Sequence, residues 1–201
     1  SYTSYPNPQS NEVTFSFTEI SARYVRMYAT KLRPDDHGDY YFQLAELNGD
    51  SESPYALAYE FNINSYLEGW GQSNNVSTLM VLNGTLRCTV TGYDPYFASP
   101  YFSVNTTENP FVLIRMKVSF PGMCQFYWET WTEQYMNEEK VYVFQSGESD
   151  EWELYILNLT EHPKWTGTVI RLRIDPPESA GLVEVDFVRI CSADDIPAML
   201  Y

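Results

Sequence analysis

The chain of 201 residues carries 27 acidic against 12 basic side chains, a net charge of −15, with 44% hydrophobic and 16% aromatic residues. That balance excludes a nucleic-acid binder, which needs a basic stripe against phosphates, and disfavours an anionic membrane surface for the same reason. No apolar run approaches the roughly 18 residues that span a bilayer, so no membrane insertion is expected.

The hydrophobic content, without any low-complexity tract, predicts a buried core rather than disorder. The aromatic residues, 17 Tyr, 11 Phe and 5 Trp, suit a half-buried pleated sheet or a partly wet binding face. No charged-then-apolar leader opens the sequence, so an export signal is expected to have been removed or to lie upstream.

Residues 1–11, with Pro6 and Pro8, read as a flexible leader. Val13, Phe15 and Phe17 alternate with Thr14, Ser16 and Thr18, the period-two mark of a half-buried strand. Residues 24–30 and 40–47 read as two more strands around a turn-rich loop at 31–39, and the polar stretch 48–54, ending in Pro54, reads as a linker. From Tyr59 onward short strands recur at sandwich spacing. Residues 79–82 and 85–91 flank Asn83-Gly84, a pair that supplies the two left-handed residues of a type I′ hairpin turn. Leu86, Cys88 and Val90 point one way, with Arg87 and Thr89 opposite.

Val112, Ile114, Met116 and Val118 form an inward row, with Arg115 and Lys117 facing out. Cys124, Phe126 and Trp128 alternate in the same way with Gln125, Tyr127 and Glu129. Further strands fall at 141–145, 152–159, 169–174 and 182–190, and helical periodicity is missing apart from a turn near 133–139. The pattern predicts an all-β chain, an antiparallel β-sandwich of the jelly-roll kind over residues 58–192, preceded by a strand segment at 1–54 and followed by a tail at 193–201.

Cys88, Cys124 and Cys191 have no metal-ligand spacing. They leave two readings open: one disulfide with a free thiol, or three buried small hydrophobes. His37 lies among Asp35, Asp36 and Asp39, and His162 precedes a proline; neither has the spacing of a catalytic base or a metal ligand.

Two stretches resemble known families. Ala-Arg-Tyr-Val-Arg-Met-Tyr-Ala-Thr-Lys-Leu from position 22, with Tyr-Tyr-Phe-Gln-Leu-Ala-Glu-Leu up to 47, resembles the last strands of a discoidin domain (coagulation factor 5/8 C-type), without that domain's sugar-binding loops. Residues 59–190 resemble the jelly-roll carbohydrate-binding modules of secreted bacterial polysaccharide-degrading enzymes. The likeness is carried by Glu60, Gly69-Trp70, Asn83-Gly84-Thr-Leu, Gly92-Tyr-Asp-Pro95, Gln125-Phe-Tyr-Trp128, Leu172-Arg-Ile-Asp-Pro176 and Val185-Asp186-Phe-Val-Arg-Ile190. This resemblance implies a galactose-binding-like sandwich that binds a polysaccharide or oligosaccharide without catalysis. It also implies catalytic domains in the same parent chain, a monomer, and an extracellular or periplasmic location.

In such modules a structural calcium clips the first strand to the last, which makes Glu60 and Asp186 the candidate ligands; calcium takes hard oxygen donors. The other reading is two ordinary strand carboxylates. For the glycan, strands 112–118 and 124–129 taken as neighbours put Arg115, Lys117, Gln125, Tyr127 and Glu129 on one surface, where a sugar finds hydrogen-bonding groups around an aromatic plane. Tyr93, Asp94, Tyr96, Trp131 and Tyr135 would form the rim. Against this, Tyr93 and Tyr96 also read as loop anchors and Trp131 as a cover for the core edge. Arg171 and Arg173, joined to Arg115 and Lys117, would make a basic strip for a uronate or sulfated sugar; pairing with nearby Glu side chains is the preferred reading.

Two other functions remain in view: a structural spacer with no ligand, and an enzyme. With 27 acids some carboxylate pair can always be nominated for glycoside hydrolysis, and a lyase would cast Tyr127 and Arg115 as base and neutraliser. A non-catalytic module is the expectation.

Overall fold

The computed structural model describes residues 53–147, 150–179 and 181–196. The chain divides into two units, 1–49 and 50–201. The strands expected before residue 48, the discoidin resemblance and the loop around His37 lie outside the described residues, as does the end of the tail.

Among the described residues there are twelve strands and no helix. They are β1 (Leu57–Tyr59), β2 (Gly71–Asn74), β3 (Met80–Leu82), β4 (Thr85–Thr89), β5 (Tyr96–Ala98), β6 (Val104–Asn105), β7 (Phe111–Val118), β8 (Met123–Thr130), β9 (Val141–Gln145), β10 (Glu153–Asn158), β11 (Thr168–Asp175) and β12 (Leu182–Cys191). One antiparallel sheet runs β10-β7-β12-β4-β3, with β1 also on β12; the other runs β2-β5-β11-β8-β9, with β6 also on β11. The expected antiparallel β-sandwich is the observed architecture.

Alternation builds the core. Val112, Ile114, Met116 and Val118 of β7 are buried together with Cys124, Phe126 and Trp128 of β8 and Leu172 and Ile174 of β11. Each such side chain contributes about 1.5–3 kcal/mol by leaving water. On β12 a bulge between Val185 and Phe187 shifts the phase, so Val188 and Ile190 rejoin Val183 and Val185 in the core. Trp70 plugs one region of the core, edge-on to Tyr59 and Phe61 at centroid distances of 5.4 and 6.0 Å. The β3–β4 turn has Asn83 at φ 54° and Gly84 at φ 76°, the type I′ geometry that the sequence announces.

The three cysteines are free and buried, which selects the small-hydrophobe reading; burial pushes the Cys88 and Cys124 thiols up to about 12. His162 stands edge-on to Trp128, with ring centroids 4.8 Å apart, and its Nε2 meets the Val141 carbonyl at 3.2 Å. It is an anchor of the strand connections.

One expectation is overturned. β7 and β8 are consecutive but belong to different sheets: β7 pairs with β10 and β12, β8 with β9 and β11. Outward on β7 and outward on β8 are therefore opposite sides of the molecule.

Candidate functional site

The outer face of the sheet containing β8 and β11 carries the site. Its rows follow from register: Gln125 lies opposite Asp175, Tyr127 opposite Arg173, and Glu129 opposite Arg171. Arg173 in turn faces Ala98 of β5, a small side chain that keeps the floor low. The result is two adjoining depressions of about 170 and 610 Å³ that share Arg173 and Met136.

Arg173 is the centre of the floor. Its guanidinium lies 3.9 Å from the Tyr96 ring centroid and 5.1 Å from that of Tyr127. Its Nε donates to Asp175 Oδ1 at 2.7 Å and its Nη2 to Asp175 Oδ2 at 2.5 Å and Asp94 Oδ1 at 3.2 Å. Burial pushes the Asp175 carboxyl up to about 6 in spite of that partner. The Tyr127 hydroxyl donates to Glu138 Oε1 at 2.9 Å; burial, then the Glu138 carboxylate, raises its pKa. Tyr127 is therefore buried under Arg173, and its ring is not the open stacking platform the sequence suggests.

Arg171 reaches outward beside it. Its Nε donates to the Ser99 carbonyl at 3.2 Å, its Nη2 to Gln72 Oε1, and its guanidinium covers the Tyr101 ring at 5.0 Å. Its Nη1 stands 3.7 Å from Glu129 Oε1. The other oxygen of Glu129, Oε2, is buried and meets no hydrogen-bond donor among the described residues.

One wall is the loop 131–140, which lends Met136, Asn137 and Glu138 to the larger depression. A buried ammonium holds this loop. Lys140, with no side-chain exposure, donates to the Glu133 carbonyl at 2.7 Å and to the Tyr135 carbonyl, and its Nζ lies 3.6 Å from the Glu133 carboxylate. Lys164 adds ion pairs to Glu133 at 3.1 Å and Glu139 at 3.2 Å. The opposite wall is pinned by Asn74 Nδ2, which donates to the Asp94 carbonyl at 2.8 Å, and by Asn75 Nδ2 on the Tyr93 carbonyl.

The structure thus brings Gln125, Tyr127, Glu129, Tyr93, Asp94 and Tyr96 together around one groove. Trp131 and Tyr135 are 69% and 58% exposed on the wall loop and line neither depression; Trp131 does not cover the core edge. Arg115 and Lys117 are corrected outright, because they lie on the other sheet. There Arg115 pairs with Asp186 at 2.6 Å, Lys117 with Glu184 at 2.7 Å, and both stand over Trp152. The same separation removes the four-residue basic strip and the pairing of Tyr127 with Arg115 as lyase base and neutraliser. Arg171 stands beside Glu129, as the preferred reading holds, whereas the partners of Arg173 are Asp175 and Asp94.

Glu60 and Asp186, the candidate calcium ligands, each pair with an arginine. Arg189 holds Glu60 bidentately, Nε to Oε1 at 2.6 Å and Nη2 to Oε2 at 2.8 Å, and Asp186 receives Arg115. Among the described residues no group of three or more His, Cys, Asp or Glu side chains is gathered as a metal site. Among the groove residues that sequence reasoning misses are Gln72, Asn74, Asn75, Met136, Asn137, Glu138 and Glu178.

No protein-family model and no curated protein matches the chain. Solved structures do match. A family 29 carbohydrate-binding module variant complexed with cellulohexaose superposes with a TM-score of 0.50 at 17% identity, over 72% of this chain and 98% of that one. The chain has the jelly-roll fold of carbohydrate-binding modules. The apo module BiXyn10A CBM1 gives 0.48 at 9% identity over 70% of this chain and all of its own. A CBM4 module gives 0.47 at 13% over 73% and 92%. What the chain shares with the carbohydrate-binding module at a TM-score of 0.50 is the sandwich.

Proposed function

We propose that this chain binds carbohydrate without catalysing a reaction on it, in the groove on the outer face of the β8–β11 sheet. The observation that carries this reading is an open groove whose floor alternates aromatic rings, guanidinium groups and carboxylates. A saccharide needs such a surface, since it presents many hydroxyls and few charges. The fold shared with a module complexed with cellulohexaose supports the same reading. With Tyr127 buried, hydrogen bonding carries more of the recognition than ring stacking does.

In this reading the chain is a monomeric, secreted or cell-surface accessory domain that holds a parent enzyme on its polysaccharide. A second reading, a spacer with no ligand, is favoured by the Arg173 guanidinium lying over the faces of Tyr96 and Tyr127. Affinity-gel retention and calorimetry across plant, algal and host glycans separate the two. Carbohydrate binding requires retention that is lost in a folded Tyr96→Ala or Arg173→Met variant. No retention on any glycan leaves the spacer.

A further inference from the structure

Resting on the carbohydrate reading of the groove, we infer that it selects an uncharged, hydroxyl-bearing saccharide and rejects uronate-containing or sulfated glycans, with Glu129 as the residue that sets the choice. Glu129 is 7% exposed and sits on the floor of the smaller depression. Its charge has compensation nearby, from Arg171 at 3.7 Å and from the buried Lys140 ammonium, whose charge it feels. What it lacks is a hydrogen bond at Oε2. Oε2 has less than 1 Å² of accessible surface, so a sugar hydroxyl becomes the donor it lacks when the Glu129 side chain turns toward the depression. A ligand carboxylate or sulfate instead presents a second acceptor and a second negative charge to the same atom.

The rest of the groove points the same way. Arg171 and Arg173 face Asp94, Glu129, Glu138 and Glu178 along the two depressions, with Asp175 beneath Arg173. The guanidiniums offset only part of that excess for an incoming anion, because the Nε and Nη2 edge of each is already engaged. Arg173 gives Nε and Nη2 to Asp175 and Asp94, and Arg171 gives Nε and Nη2 to Ser99 and Gln72. Side-on bidentate capture of a ligand carboxylate through Nε and Nη2 would require breaking these pairs.

The test uses the whole chain and matched hexasaccharides that differ only by oxidation at C6: glucan and glucuronan, galactan and galacturonan, mannan and mannuronan. Each pair is titrated calorimetrically at low and at high salt. The neutral member is expected to bind, its uronate counterpart at least about tenfold more weakly at low salt, with the gap narrowing as salt screens the groove. Glu129→Gln, checked for folding, is expected to weaken the neutral ligand by about tenfold and to narrow the gap. The salt dependence of the unmodified chain stands whether or not that variant folds. A uronate bound as tightly as its neutral partner, or affinities indifferent to Glu129→Gln, overturns the inference and leaves carbohydrate binding intact. Binding of no member of any pair overturns both.

Discussion

Replacing Lys140 by Met tests whether a single buried charge shapes one wall of the groove. The substitution leaves an unbranched side chain one atom shorter and removes its donors. The ammonium, with no exposed surface, donates to the carbonyls of Glu133 and Tyr135 and faces the Glu133 carboxylate. Two charge-assisted hydrogen bonds at about 1.5–3 kcal/mol each amount to roughly 3–6 kcal/mol. Relief of the buried charge returns part of this, because Met fills most of the same space without a desolvation cost. A net loss of about 2–4 kcal/mol is expected, which for a chain of this size lowers the Tm by about 5–15 °C. Scanning calorimetry measures that loss. The functional consequence is separate: Met136, Asn137 and Glu138 lose their fixed positions, and the Tyr127 hydroxyl loses its acceptor. Glycan affinity is therefore expected to fall even well below the new Tm. A Lys140→Met protein with parental Tm and parental affinity refutes the reasoning.

Arg173→Met is expected to weaken glycan binding by more than about tenfold, whereas Arg115→Met, on the other sheet, leaves calorimetric affinity unchanged. Because the Asp175 carboxyl is raised to about 6 by burial, the folded state holds its proton more tightly than the unfolded chain does. Its contribution to stability is full below about pH 4 and is lost as pH rises through 6, on the order of 2–3 kcal/mol. Denaturant unfolding of the parent and Asp175→Asn proteins at pH values across that window isolates this slope. Since guanidiniums occupy Glu60 and Asp186, chelator and added calcium are expected to leave the Tm unmoved. Arg189→Met, which breaks the bidentate pair with Glu60, is expected to cost about 1–2 kcal/mol in the same thermal assay.

How much of this is legible in the sequence depends on whether the information is local. The Asn83-Gly84 turn is local chemistry, and it is read correctly because few other residue pairs accept two positive φ angles. The inward rows 112, 114, 116, 118 and 124, 126, 128 are also local, since alternation within one strand decides which side is dry. Alternation says that Arg115 and Tyr127 both point outward; it does not say from which sheet. The connection at 119–122 joins β7 and β8 across the sandwich rather than within a sheet, and that single fact moves Arg115 and Lys117 to the far side. Strands β2, β5 and β6 are short, and Gly71-Gln-Ser-Asn74 has no alternating apolar side to announce it. Their pairing to β11, directly or through β5, fixes them. Gln72 and Asn74, which ride on β2, were hidden for that reason. Glu138 and Met136 were hidden differently, because what places them in the groove is a lysine buried in a polar loop.

The central claim is that the ligand lies on the β8–β11 face and on no other. Arginine Nε–H resonances followed by NMR during titration with a bound oligosaccharide report this directly, because each sheet carries its own arginines. The account requires Arg171 and Arg173 to shift while Arg87, Arg115 and Arg189 stay in place. Saturable shifts at Arg115 or Arg87, with Arg171 and Arg173 unmoved, would contradict it.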